Sequence, residues 1–593
     1  MSRVESKYKW DLTGYFKNDQ EWERCFIEYG KKIETADKFN DKLKDSKTIL
    51  ECLKYLEDLD LMAEPLYIYA HCLKDLDVSL SLSQQRLNRL QVKLTEHYVK
   101  TSYVMPQLSR LDVDFLLDLT KQPEFKNYKK PIHDILREKD HVLSEECEAL
   151  LSRSSSFTDG FLNNFSSFED GDLTFKEVQN SRGKKLKMNQ SLASIYLRDK
   201  DAELRKNAYI ELNSAFGRYN NFLTSNYLSN INKNIFSAKT RKFNSCLEKA
   251  LFNEEVDVQV YNLLIESVEN NLSAEHKLLE VKRQILKSKN YHTYDVYYNP
   301  LKNTTKFSYE QAFDIVCDAL SLLGEDYIKE IINMKNSGKI DVYPDKNKAN
   351  GAYKTGCYGK PAMVLTNFSS KFNDVSTLAH ELGHAMHSYY SNLAQPYYTS
   401  NYPIFLAEIA STVNETLLNN YMIKNSTTKE EKLFYINEFL STFHATVFRQ
   451  TMFASFENMA HRLVENNQPI SNEILNNNYL NLVKKYFGKK VKVLDWVKYE
   501  WSRIPHFYTA FYVYKYATGL ISAINIVLNL ENNIITLEDY KKFLSSGCSL
   551  DPISCLKLVK VDLTKKETFD NAFNYLLDLI SQSKKIIKKD KKS

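Results

Sequence analysis

The sequence predicts a mainly α-helical protein with one small β-sheet. Three observations point there. The chain holds only 15 glycines and 12 prolines in 593 residues, too few to turn many strands. Segments such as 49–62 and 80–101 carry apolar residues at helical spacing. Five of the 15 glycines, Gly338, Gly351, Gly356, Gly359 and Gly383, are crowded into one short stretch, which marks the place for strands.

Taken in order, the chain opens with helical patterning. The rhythm breaks between 165 and 205, at Asp170-Gly171-Asp172 and Ser181-Arg182-Gly183, and restarts from Leu192 through Leu204. This divides the chain into an N-terminal helical domain, 1–190, and a second domain, 191–593. No internal repeat or low-complexity linker interrupts either part. Within the glycine cluster, 340–343 and 362–366 read as short strands with a Gly-rich loop between them. Such a sheet is either a plain hairpin or an edge able to take on a peptide strand.

A helix over about 375–391 follows. Asp374 and Ser376 are N-cap candidates, and Val375, Leu378, Ala379, Leu382, Met386 and Tyr389 mark its buried face. Pro396 and Pro403 break the chain, so the next helix runs over about 404–422. The chain also carries 39 Tyr and 32 Phe, most of which must pack between helices.

The first of these helices carries His380-Glu381-Leu382-Gly383-His384, the H-E-x-x-H arrangement of zinc peptidases. Residues four apart lie on one helix face, so both imidazoles can reach one metal ion. Glu381 is turned by about 100° from His380 and is free to act as general base. His387 follows only three residues after His384, and Tyr390 stands where a metzincin would place its third histidine, so that pattern is rejected. A catalytic zinc site takes a third protein ligand. The first carboxylate after the motif is Glu408. Glu415, seven residues on and nearly on the same helix face, is the alternative, as a ligand or as a residue that orients a histidine.

Several segments together resemble the thimet-oligopeptidase-type zinc metallopeptidase family, in particular oligoendopeptidase F. Residues 380–387, reading HELGHAMH, resemble its zinc helix. Residues 405–415, FLAEIASTVNE, resemble its third-ligand helix, and the resemblance selects Glu408. Residues 448–453 and Phe456-Glu457 resemble the helix that follows, and 504–508 with 511–519 its late substrate segment. Trp10-Asp11-Leu12 and 136–143 are similar to its N-terminal half.

The resemblance implies a multi-lobed helical metallopeptidase with a deep central channel and a small sheet beside the zinc helix. It implies one Zn2+ held by His380, His384 and Glu408, and short unfolded peptides as substrates, cut at internal bonds. Glu381 would be the general base for a water that the metal activates. Tyr514, Tyr508 and His506 would donate to the developing oxyanion, with Tyr514 the strongest match. His387 is left an outer role. The alternatives are a metallocarboxypeptidase-type exopeptidase and a non-catalytic peptide-binding protein, and the intact Glu381 speaks against the latter.

Composition excludes other classes. Hydrophobic residues make up 43% and charged residues 26%, as in a soluble protein with ample core. A net charge of +5 is too small to argue for nucleic acid, and the lysine-rich end, 584–593, reads as a solvated helix end. The most apolar helical stretch, 520–530, contains Asn525 and Asn529 and is too short to span a bilayer. Residues 1–7 contain no apolar signal core. Nine cysteines, an odd number without a C-x-x-C pair, fit reduced thiols in the cytoplasm. No pattern assigns an oligomeric state.

Overall fold

The computed structural model describes residues 5–158, 160–301 and 305–590. Residues 1–4 of the amino-terminal reading and 591–593 of the lysine-rich end lie outside the described residues. Helices dominate, and the described strands form two small sheets. The segment read at 49–62 is one helix, Ser46–Leu76, capped by Asp45 and continuing through Pro65. The segment read at 80–101 is the helix Ser81–Thr101.

The chain forms two compact units, each assembled from three separate segments. The first contains residues up to 145, 305–418 and 527–560, and the second 146–304, 419–526 and the remainder from 561. The break read near 165–205 falls inside the second unit. It is a two-stranded hairpin, β1 (Val178–Gln179) paired antiparallel with β2 (Lys185–Leu186). Gly183 turns it at φ +73°, and the Asn180 side chain accepts from the amides of Arg182 and Lys184 at 3.1 and 3.0 Å. Helices Gln190–Tyr196 and Ala202–Gly217 then resume.

The second sheet belongs to the first unit. Its strands are β3 (Ile340–Asp341), β4 (Tyr353–Thr355) and β5 (Met363–Leu365), in the order β3-β5-β4. β5 is central and buried, parallel to β3 and antiparallel to β4. β4 falls where the sequence pattern predicts loop, because three residues between glycines are held as a strand by pairing with β5. The Trp10 indole donates to the carbonyl of Val364 at 2.8 Å and the Trp10 amide to Asp341 at 3.1 Å, which ties the N-terminal segment to the sheet. Lys348 pairs with Asp341 at 2.6 Å and also reaches the carbonyls of Tyr343 and Thr366.

The apolar helix read at 520–530 lies within Tyr514–Glu531. Its two asparagines bond to backbone: Asn525 to Thr568 at 2.8 Å and Asn529 to Val559 at 3.0 Å. Among the described residues, no helix is long and apolar enough to cross a membrane.

Candidate metal centre

The motif helix runs Phe372–Ala394, three residues longer at each end than expected. Lys371 is its N-cap, and Asp374 caps from inside the first turn: its carboxylate accepts from the amides of Lys371 and Ser369 at 2.8 and 2.9 Å. Val375, Leu378, Ala379, Leu382 and Met386 are fully buried, as the spacing requires. Tyr390 completes that face while Tyr389 is partly exposed, because the helix turns by 100° per residue and the buried face ends between them. A short helix, Tyr397–Ser400, fills part of the connection to the helix Ile404–Lys424.

The two long helices meet at Gly383. A Cβ built there would stand 2.5 Å from the Ser411 Cα and 2.8 Å from the Ala410 carbonyl oxygen. Asn414 donates to the Ala379 carbonyl at 3.0 Å and accepts from the Tyr327 hydroxyl at 3.1 Å, which pins the helices in register. This close approach carries Glu408 to the histidine pair. His380 Nε2 and His384 Nε2 are 3.1 Å apart. Glu408 Oε2 is 3.4 Å from the first and 3.5 Å from the second.

Those separations test whether a metal fits. Donors bonded at about 2.0–2.1 Å to one tetrahedral ion stand about 3.3–3.4 Å from each other. The three separations, 3.1, 3.4 and 3.5 Å, lie within about 0.2 Å of that spacing, and the three residues form a candidate metal site. Two imidazoles and a carboxylate are also a donor set that zinc accepts.

Glu415 lies on the opposite side of His380, with Oε1 2.8 Å from Nδ1. An ionised carboxylate only accepts, so Nδ1 carries the proton and Nε2 is left facing Glu408. Burial opposes a charge on the His380 ring, but the hydrogen bonds the ring donates to Glu408 and Glu415 outweigh it and hold its pKa up to about 10. Hydrogen bonds from His380 and His384 hold the Glu408 carboxyl far below the carboxylate range, against the effect of burial. The cluster is built to stabilise positive charge.

Glu381 stands apart from the three donor atoms. It is 7% exposed, and burial raises its carboxyl pKa while His380 and His384 pull it down. A raised carboxyl suits a proton acceptor at neutral pH. His387 is 1% exposed and lies flat on the Tyr402 ring, centroids 3.6 Å apart. Burial holds it neutral.

His506, Tyr508 and Tyr514 belong to the second unit. His506 is exposed, 3.3 Å from the Tyr516 hydroxyl. The Tyr508 hydroxyl accepts from Asn226 at 3.0 Å, and burial raises its pKa to about 12. Tyr514 is fully buried with its ring 5.2 Å from that of Tyr261. Between them, Phe511 takes φ +55° and donates its amide to the buried Glu457 carboxylate at 2.7 Å.

The sequence pattern counts Gly383 with the glycines that mark the sheet, whereas it lies inside the motif helix; the pattern gives no role to Asn414 or Tyr402. The available signal was Gly383 itself: a glycine inside a strong helix marks close approach of another backbone.

The two helices bring the histidine pair and Glu408 into the candidate metal site of a metallopeptidase of the H-E-x-x-H class. The family model described as peptidase family M3 matches residues 195–575, and that described as oligopeptidase F matches residues 107–175. The chain is 34% identical to oligopeptidase PepF of Bacillus subtilis, over 100% of this chain and 89% of that protein. It is 30% identical to the chromosomal oligoendopeptidase F of Lactococcus lactis subsp. cremoris, over 98% and 97%. Among solved structures, oligoendopeptidase-F of Enterococcus faecium superposes with a TM-score of 0.75 at 26% identity, covering 96% of this chain and 99% of that one. A Chlamydophila abortus crystal structure described as that of a peptidase superposes at 0.93 with 33% identity, covering 99% of each chain. The chain belongs to peptidase family M3.

Proposed function

We propose that the chain is a zinc-dependent oligoendopeptidase that cuts internal bonds of short, unfolded peptides in the cytoplasm. The observation that carries the reading is the spacing of His380, His384 and Glu408 with Glu381 one residue from the first ligand. The relatives named oligoendopeptidase F support the choice of substrate size and of internal bonds. Nine cysteines without a disulfide support a reducing compartment.

His380, His384 and Glu408 would hold the ion, and Glu415 would fix the tautomer and orientation of His380. A zinc ion so held acidifies water and polarises a carbonyl. Glu381 takes the proton from the attacking water and returns it to the leaving amine. β4 has one partner in its sheet, β5, so its other edge can pair with a peptide backbone without regard to side chains. Tyr514 and Tyr508, with His506, would donate to the oxyanion that develops on the scissile carbonyl. The support for these three is the resemblance of residues 504–519 to the family's late segment.

Mass spectrometry of peptides blocked at both ends tests the proposal. Internal cuts that stop with a chelator and return with zinc are expected. Trimming of unblocked peptides alone would make the protein an exopeptidase, and bound zinc without any cutting would make it a peptide-binding protein.

A further inference from the structure

The first unit contains a pocket of about 540 Å³ beside the motif helix, within the size range of ligand sites. The motif helix lines it with Ala385, Ser388 and Asn392, and with Tyr389 and Leu393 beside them. The first three lie on one stripe. These continue the stripe that starts at Glu381, by steps of four, three and four along one face. The opposite wall begins at Lys354, the middle residue of β4, and continues into the loop that follows.

The charge lining is one-sided. Lys339, Lys354 and Lys360 reach the pocket, against a single carboxylate, Glu330. The bonds of the three lysines are to neutral groups: Lys354 to the Ser388 hydroxyl, Lys339 to the Asp11 carbonyl at 3.0 Å and Lys360 to the Gly14 carbonyl at 3.1 Å. Glu330 takes up the Asn333 amide at 3.3 Å. Burial lowers the Lys354 ammonium to about 8, with Cys357 and the Glu381 carboxylate pulling it the other way from a distance. A partly dehydrated ammonium bonded only to a hydroxyl gains strongly from a carboxylate partner.

We infer that this pocket is a substrate subsite that selects peptides bearing a carboxylate, held by Lys354 with Lys360 and Lys339. The inference rests on the peptidase reading above, since it takes β4 as the edge that grips the peptide. A strand on that edge sends alternate side chains toward one face, and Lys354 stands at that edge beside the wall of the motif helix. Backbone pairing would then give general affinity, and the lysines a preference.

The test uses the zinc-loaded full chain and end-blocked peptides that differ only by Glu or Gln at one position, scanned along the peptide. A second pair, with a free or an amidated C-terminus, separates a side-chain carboxylate from a terminal one. In the wild type, kcat/KM for the carboxylate form is expected to exceed its neutral twin by about tenfold at one position or at the terminus, the worth of one charge-assisted hydrogen bond. Lys354→Gln and Lys360→Gln are expected to bring that ratio toward one, with unfolding midpoints recorded to show that both variants fold. Equal rates for all pairs, or a ratio that survives both substitutions, would overturn the subsite while leaving the peptidase intact. Failure to cut any peptide would overturn the peptidase reading itself, and the subsite with it.

Discussion

Gly383 and Ser411 are the contact at which the motif helix meets the helix carrying Glu408: a side-chain carbon on Gly383 would lie 2.5 Å from the Ser411 Cα. The clash is with the backbone of the Glu408 helix at Ala410 and Ser411, which cannot yield by a rotamer change. Gly383→Ala is therefore expected to part the helices and draw Glu408 from the histidine pair. Overpacking of this kind costs about 1–3 kcal/mol. Zinc titration and a thermal scan of the variant check it. Wild-type zinc affinity would show that the helices accommodate the methyl group.

Glu408 and Glu415 both approach His380, on different nitrogens. Glu408→Ala removes a donor and should leave no tightly bound zinc. Glu415→Gln keeps the three donors but loses the carboxylate on Nδ1, and an outer partner of this kind is worth about 10–100-fold in metal affinity. Competition with a chelator of known affinity separates the two. Equal losses would mean that Glu415 is itself a ligand.

Glu381 is buried beside the donor set without belonging to it. Glu381→Gln preserves its shape and removes its basicity. The variant should bind one zinc per chain and lose about 10²–10⁴-fold in kcat, the range for a positioned acid or base. Near-normal turnover by the zinc-loaded variant would rule out Glu381 as the base.

Tyr514 is fully buried against Tyr261, so Tyr514→Phe keeps the packed ring. If its hydroxyl faces the oxyanion during turnover, the variant loses about 2.7–4 kcal/mol of barrier lowering, read as lower kcat with KM and zinc content near wild type. A wild-type kcat would return Tyr514 to the hydrophobic core.

How much the sequence revealed follows the range of the interactions involved. The spacing of His380 and His384 is local to one helix, and so are its buried residues, so the motif helix was legible to within three residues at each end. Glu408 and Glu415 lie seven apart, nearly on one face. Which of them meets Nε2 depends on the offset between two helices, set by Gly383 against Ser411, and periodicity carries no trace of that. β4 is three residues long and exists by pairing with β5. The compact units join stretches hundreds of residues apart, whereas composition changes only along the chain.

Glu457 gives the protein a pH dependence that is separate from the metal. Its carboxyl is buried in the second unit, bonded to the Phe511 amide at 2.7 Å. Burial raises its pKa to about 8, the Phe511 amide pulling the other way. The unfolded chain returns it to about 4.3. Between these values the folded state binds a proton that the unfolded state has released, so the contribution of Glu457 to stability is complete below about pH 4.3 and is lost as pH rises to about 8. Within that window the slope approaches about 1.4 kcal/mol per pH unit. Glu457→Gln resembles the protonated form and has no proton to lose. Wild type and variant should unfold at similar temperatures near about pH 4, and the variant should gain on the wild type as pH rises to about 8. Parallel curves of unfolding midpoint against pH would mean that Glu457 ionises at an ordinary pKa in the folded chain.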